Sequence, residues 1–147
     1  MSLNFEDYQR DANNWLKVVA RHLVMEREQA GRIFRAVLHA LRDRIPAEEA
    51  VHLGAQLPII WKGIYFEGFK IRPVPINIRN RQEWLDFIRT YDNRANVLDF
   101  PSDEEAQKAF SSVMHALQEL MGEGQYNQLH HILHNSIKEL IEPQGTT

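Results

Sequence analysis

The chain has 147 residues, of which 44% are hydrophobic and 25% charged, with a formal net charge of −3 and no cysteine. This composition can build a core, which excludes a disordered chain, and the lack of cysteine excludes disulfides and thiolate metal sites. The sequence has no apolar run of about 18 residues and no secretory leader, so we expect a cytoplasmic protein that does not enter the membrane. The near-neutral charge argues against nucleic-acid binding.

Three apolar stripes with helical spacing occupy the first half of the chain. They predict helices over residues 4–23, 26–44 and 47–66. Pro58 lacks an N–H and clashes with the preceding turn, so we expect the third helix to kink or break near 56–58. The stretch 57–61 is apolar on nearly every side, which predicts a central, buried helix.

Residues 68–80 differ from the helical stripes on either side. Pro73 and Pro75 disfavour helix in the residues before them, so this segment is expected to be an extended connector. Two prolines also make it a poor candidate for a sheet strand.

The second half of the chain contains two capping boxes. Asn80 with Glu83 and Ser102 with Glu105 predict helix starts, followed by helices over about 81–92 and 103–121. The last helix is predicted over about 125–141. Residues 93–101 are expected to form a loop, and 143–147 a frayed tail.

The two halves resemble each other. A shift of 76 places residues 33–41 on 109–117 with Phe, Val, His, Ala and Leu coinciding, and a shift of 69 places Trp15-Leu16 on Trp84-Leu85. We therefore predict a single all-α domain over 1–147, made of two homologous three-helix halves. The halves cover 4–67 and 81–142, and they would form a six-helix bundle with pseudo-two-fold symmetry.

Charge is distributed unevenly between the halves. Residues 1–73 contain 11 basic and 9 acidic side chains, whereas 74–147 contain 6 and 11. The opposite signs could attract the halves to each other or to a second copy, or they could be solvated faces that contribute little.

Three segments resemble the signature of a bacterial family called domain of unknown function 2267. They are residues 35–46 (RAVLHALRDRIP), 48–58 (EEAVHLGAQLP) and 62–69 (KGIYFEGF). The resemblance implies an all-helical fold of two similar halves, and it implies no reaction, ligand or catalytic residue. Trp61 and His134 depart from the pattern, because a smaller aliphatic residue and a proline are expected there.

Histidine and arginine offer the main candidate sites. Arg35, His39 and Arg42 share a helix face, and His115 is the repeat equivalent of His39, so a paired anion site is one interpretation. The alternative is that both histidines pack against neighbouring helices and are alike by descent.

A histidine cluster near the C-terminus is the only candidate metal site. His130, His131 and His134 lie within about one turn, but a zinc site needs a further ligand and Lys138 would repel the cation. We expect a solvated face and predict no cofactor. The sequence has no Gly-rich phosphate loop and no Gly-x-Ser-x-Gly elbow.

The aromatic residues suggest an interaction surface. The candidates are Trp61, Tyr65, Phe66 and Phe69, beside the proline-rich segment 71–78. A small bundle does not need to bury all of these side chains, and exposed aromatic patches mark interfaces. We therefore predict a non-enzymatic module that binds a protein or forms a homo-oligomer. The alternative is a regulatory protein that binds a small ligand, anion or metal at its His/Arg faces.

Overall fold

The computed structural model describes residues 3–92, 99–141 and 143. Within these residues the chain forms eight helices and no strand, which confirms the all-helical prediction. The helices are α1 (Phe5–Leu23), α2 (Arg27–Arg44), α3 (Ala47–Ala55), α4 (Ile59–Tyr65), α5 (Arg81–Arg89), α6 (Asp103–Leu120), α7 (Glu123–Ile132) and α8 (Asn135–Lys138). The predicted loop at 93–101 and tail at 143–147 fall mostly outside the described residues.

The predicted count of six helices is not confirmed, because the last helix of each half is divided in two. The expected break at 56–58 is confirmed, with Pro58 at φ −57°, ψ 154° between α3 and α4. His134 has nearly the same backbone angles, φ −61° and ψ 146°, between α7 and α8. Its Nδ1 accepts a hydrogen bond from the Ser136 N–H at 3.1 Å. The side chain thus caps α8 where the chain has no proline.

Both predicted helix starts in the second half carry their caps. The Asn80 side chain accepts from the Glu83 N–H at 2.9 Å, and Ser102 accepts from the Glu105 N–H at 3.2 Å. The Glu83 carboxylate accepts from the Arg79 N–H at 2.8 Å, one residue before the position that a capping box uses. Local capping therefore fixes where the connector ends and α5 begins.

The core lies among four helices, α1, α2, α5 and α6. Helix α1 packs along both α2 and α6, and α5 packs along the same two helices. Phe34 meets Trp61 edge-on with ring centroids 4.6 Å apart, and Trp84 meets Phe110 edge-on at 5.4 Å. All four rings are buried, so large aromatic side chains fill the centre of both halves.

Candidate functional site

The proline-rich segment 71–78, called the arm from here on, forms neither helix nor strand, bends at Pro73 and Val74, and lies on the surface of the bundle. Ile71 is 81% exposed and Val74 is 71% exposed, with the exposed Pro73 between them. Prolines fix φ in the range of polyproline II, so the outer side of the arm is a stiff apolar ridge. Exposed apolar residues that are contiguous in this way are typical of binding surfaces.

The arm is held on the bundle by α2. The Ile76 N–H donates to the backbone oxygen of Asp43 at 3.1 Å, and Arg72 Nη1 lies 3.3 Å from Asp43 Oδ1. Ile78 anchors the end of the arm because its side chain is buried. The inner side of the arm is thus fixed, while Ile71 and Val74 face away from these anchors.

Asp43 is the centre of a buried polar network. Its Oδ1 accepts from Arg42 Nε at 3.1 Å, and its Oδ2 accepts from the Tyr91 hydroxyl at 2.5 Å. Burial raises the pKa of Tyr91, and the hydrogen bond to Asp43 raises it further, so this hydroxyl stays a donor at neutral pH. The network ties the arm to α2 and to the residues that follow α5.

A groove lies on another part of the surface, where α1 passes the junction of α3 and α4 and the end of α6. Its apolar wall contains Trp15, Val18, Leu57, Pro58 and Leu120. Asp11 and Asn14 stand on the α1 side. A groove lined by an aromatic ring, a proline and a carboxylate has the chemistry that recognises proline-rich segments with basic residues.

The arm and the groove differ in charge. Residues 68–82 include Lys70, Arg72, Arg79 and Arg81 and no acidic residue. The first two turns of α1 contain Glu6, Asp7 and Asp11, with Asp7 paired to Arg10. The region of the arm is therefore positive, and the α1 side of the groove carries acidic residues.

The structure places His39 and Arg42 inside the bundle, 6% and 5% exposed. His39 Nε2 is 2.7 Å from the Ile64 oxygen, and Arg42 Nη1 donates to the Tyr65 and Glu67 oxygens at 2.5 Å each. These contacts cap the C-terminal carbonyls of α4, as the alternative interpretation of packing against a helix expects. Burial lowers the pKa of His39, partly offset by its hydrogen bond to Ile64.

Of the other two residues of the anion hypothesis, Arg35 lies beside those caps and His115 lies on α6. Arg35 pairs with Glu67 at 3.1 Å on the surface, and His115 is half-buried on α6. The described ring contact of His39 is with Tyr91, at 6.1 Å between centroids. The structure thus engages Arg35, His39 and Arg42 in contacts within the protein.

The aromatic run is divided between core and surface. Trp61 and Tyr65 are buried, and each donates a hydrogen bond inside the bundle, to the Ala12 oxygen at 3.0 Å and the Ala50 oxygen at 2.6 Å. These two side chains agree with the predicted buried helix and do not lie on the free surface. Phe66 and Phe69 are half-buried and meet at 5.8 Å, so a surface role from this run rests on them.

The histidine cluster shows no metal-site geometry. His131 and His134 are exposed, His134 is used as a cap, and burial lowers the pKa of the half-buried His130. Among the residues that the structure describes, no group of three or more His, Asp or Glu could hold a metal ion. Nor does any described helix have the length and apolar character to cross a membrane.

Sequence reasoning missed two buried carboxylates. Asp43 follows Arg42 on a helix that is apolar around it. A charged pair within such a buried stretch was the available signal for a buried carboxylate. Asp99 is 1% exposed and pairs in a bidentate manner with Arg32 at 3.0 and 3.1 Å. Burial acts to raise the pKa of Asp99, yet the hydrogen bonds with Arg32 and its charge hold that pKa below its ordinary value. No sequence spacing pointed to that long-range pair.

Comparison with known proteins identifies a family and no characterised relative. No curated protein matches the sequence. A family described as uncharacterized conserved protein, DUF2267, matches residues 12–144, which include every helix of the structure except the first turns of α1. The resemblance seen in residues 35–69 is thereby confirmed over nearly the whole chain, and the protein belongs to the DUF2267 family.

Proposed function

We propose that this protein is a non-enzymatic helical module that associates with a second copy of itself, with the arm of one copy seated in the α1 groove of the other. The observation that carries the proposal is the exposure of Ile71 and Val74 on an arm whose inner side is pinned by Asp43. An arm that its prolines and its contacts with Asp43 already restrict loses little conformational freedom when it binds, which lowers the cost of association.

Charge favours a second copy as the partner. The positive segment 68–82 complements the acidic start of α1, where Asp11 stands beside Trp15 in the groove. Complementary potentials steer encounter and fix the orientation of the partners. The proline-rich arm and the groove of Trp15 and Pro58 also match in chemistry, since aromatic-lined grooves accept polyproline segments.

The same proposal includes a duplicated domain with pseudo-two-fold symmetry. Helices α2 and α6 are both 18 residues long and begin 76 residues apart. The residues before α3 and α7, Pro46 and Gly122, have φ −56°, ψ 148° and φ −62°, ψ 149°. Helix α1 lies against α6 as α5 lies against α2. These correspondences support two homologous halves whose first helices each pack on both α2 and α6 in one core.

Sedimentation velocity over a range of protein concentrations tests the self-association. Val74→Glu on the arm and Trp15→Ala in the groove should each weaken the dimer by about tenfold or more, because each removes an apolar contact at the centre of the interface. Val51→Glu is the matched control, since Val51 is exposed on α3 outside both surfaces. Circular dichroism reports whether each variant folds.

A charge exchange separates docking from damage to the fold. Lys70→Glu should weaken the dimer, and adding Asp11→Lys should restore it in the double variant, because the pair regains opposite signs. A wild-type protein that remains monomeric at the highest concentration refutes the proposal. An unaltered dimer in Val74→Glu and Lys70→Glu refutes the arm as its interface.

A further inference from the structure

A small cleft lies between α3 and α7 and joins positions that correspond in the two halves. Its lining includes four pairs spaced by 76 residues: Glu49 and Gln125, His52 and Gln128, Leu53 and Leu129, and Gln56 and Ile132. Met121 completes it. Eight of these nine residues are thus paired by the repeat, so the cleft is formed jointly by equivalent faces of the two halves.

The cleft offers two acceptors, Glu49 and Gln56, beside the amides of Gln125 and Gln128 and the His52 ring. The Gln56 side-chain oxygen is buried and has no hydrogen-bond partner among the described residues. Glu49 accepts from Gln128 Nε2 at 3.0 Å through one carboxylate oxygen, which links the two helices across the cleft. A buried acceptor without a donor is costly, so this arrangement favours a bound group that donates.

Charge and size narrow the chemistry of that group. Glu49 is the one acidic residue of the lining, and no lysine or arginine lines the cleft. The enclosed part has room for a group of about the size of one water molecule. A primary ammonium group has this size, a positive charge and three donors. Leu53, Met121 and Leu129 are buried beside this space, so a carbon chain attached to the ammonium group has to leave through the open side of the cleft.

We propose that the α3–α7 cleft binds the ammonium head of a primary amine, with Glu49 and Gln56 as its acceptors and the alkyl chain leading out of the cleft. An anion is disfavoured because its charge would face the Glu49 carboxylate without a cation from the lining. A metal ion is disfavoured because the lining supplies one carboxylate and one imidazole, fewer than the ligands that a divalent site needs. The cleft does not include the arm, and it adjoins the α1 groove through Gln56, which lines both.

NMR titration of the full chain with n-propylammonium chloride tests the assignment. The methyl groups of Leu53, Met121, Leu129 and Ile132 should shift in a saturable way. Tetramethylammonium chloride at the same ionic strength should leave them unchanged, because it has the charge without N–H donors. The third probe is Nα-acetyl-lysine methylamide, whose ammonium group is that of a lysine side chain. Comparing its affinity with that of propylammonium distinguishes a lysine side chain from a free amine as the source of the ammonium group.

Two variants identify the acceptors. Glu49→Gln keeps a hydrogen-bonding side chain but removes the charge, and Gln56→Ile installs the residue found at the equivalent position 132. Each should weaken propylammonium binding by about tenfold or more, since a charge-assisted hydrogen bond is lost. Glu48→Gln is the matched control, because Glu48 is exposed on the same helix and does not line the cleft.

The outcomes are distinct. Saturable shifts with propylammonium that Glu49→Gln and Gln56→Ile abolish support the ammonium site. Equal shifts with tetramethylammonium, or equal affinity in Glu48→Gln and Glu49→Gln, mean non-specific attraction of cations and overturn it. No shift in folded wild-type protein means that the cleft holds water only, which also overturns it.

Discussion

The backbone at Val24 is strained, and relieving the strain should stabilise the protein. Val24 ends α1 in the left-handed region at φ 57°, ψ 50°, where its N–H reaches the Ala20 and Arg21 oxygens. An L-residue in this region carries a steric cost of about 1–2 kcal/mol, and a branched Cβ makes the position unfavourable. Because the side chain is 87% exposed, removing it sacrifices little packing.

The variant Val24→Gly therefore isolates the backbone contribution to the free energy of unfolding. Glycine removes the steric cost but gives the unfolded chain more freedom, which costs about 0.5–1 kcal/mol. The net expectation is a gain of about 0.5–1 kcal/mol in the free energy of unfolding. For a domain of this size, that corresponds to a rise of roughly 2 °C in Tm. Urea unfolding monitored by circular dichroism gives the free energy, with the m-value as a check on two-state behaviour.

Two glycine positions serve as controls of opposite sign. Gly68 also has a positive φ, 66°, and a Cβ added there meets no atom within 4 Å, so Gly68→Ala should destabilise by about 1 kcal/mol through the backbone alone. Gly63 lies inside α4 with equal space around it, so Gly63→Ala should stabilise by about 0.5–1 kcal/mol. A loss of stability in Val24→Gly, with both controls as expected, would refute the reasoning.

Two further changes probe the buried polar groups. His39 is held neutral because burial lowers its pKa, so its contribution to stability is present above pH 6.5 and is lost as pH falls through the lower folded-state value. Unfolding free energies measured against pH should therefore fall less steeply below pH 6.5 in His39→Gln than in wild type. Parallel curves would contradict this. Asp43→Asn should lower the free energy of unfolding in urea by about 3 kcal/mol, because Arg42 loses its buried carboxylate partner. The control Asp86→Asn, at an exposed position, should lower it by less than about 0.5 kcal/mol. Equal costs would mean that the buried pair is not stabilising.

The sequence predicted the helices where local signals were strong. Apolar spacing, the caps at Asn80 and Ser102 and the break at Pro58 were sufficient, because each depends on a few neighbouring residues. The break at His134 was not predicted, since no proline stands there and the backbone turn depends on the side-chain cap and on packing. Local chemistry thus set most helix limits.

The candidate sites were harder to predict because tertiary packing decides which polar faces are solvated. Helical spacing put His39 and Arg42 opposite the apolar stripe of α2, yet the end of α4 covers that face and uses both as donors. Gln56 and Glu49 line one cleft with residues from 76 positions further along the chain. A cleft of this kind is hidden until the two halves are placed together.

The packing of α1 against α6 has a consequence for synthesis of the chain. Helix α1 is complete early, but its partner α6 is among the last elements to leave the ribosome, nearly a hundred residues later. Until then the face of α1 that packs on α6 stays open to water or to chaperones. Complete packing of α1 therefore waits for the synthesis of α6, and the exposed apolar surface of the nascent first half favours aggregation.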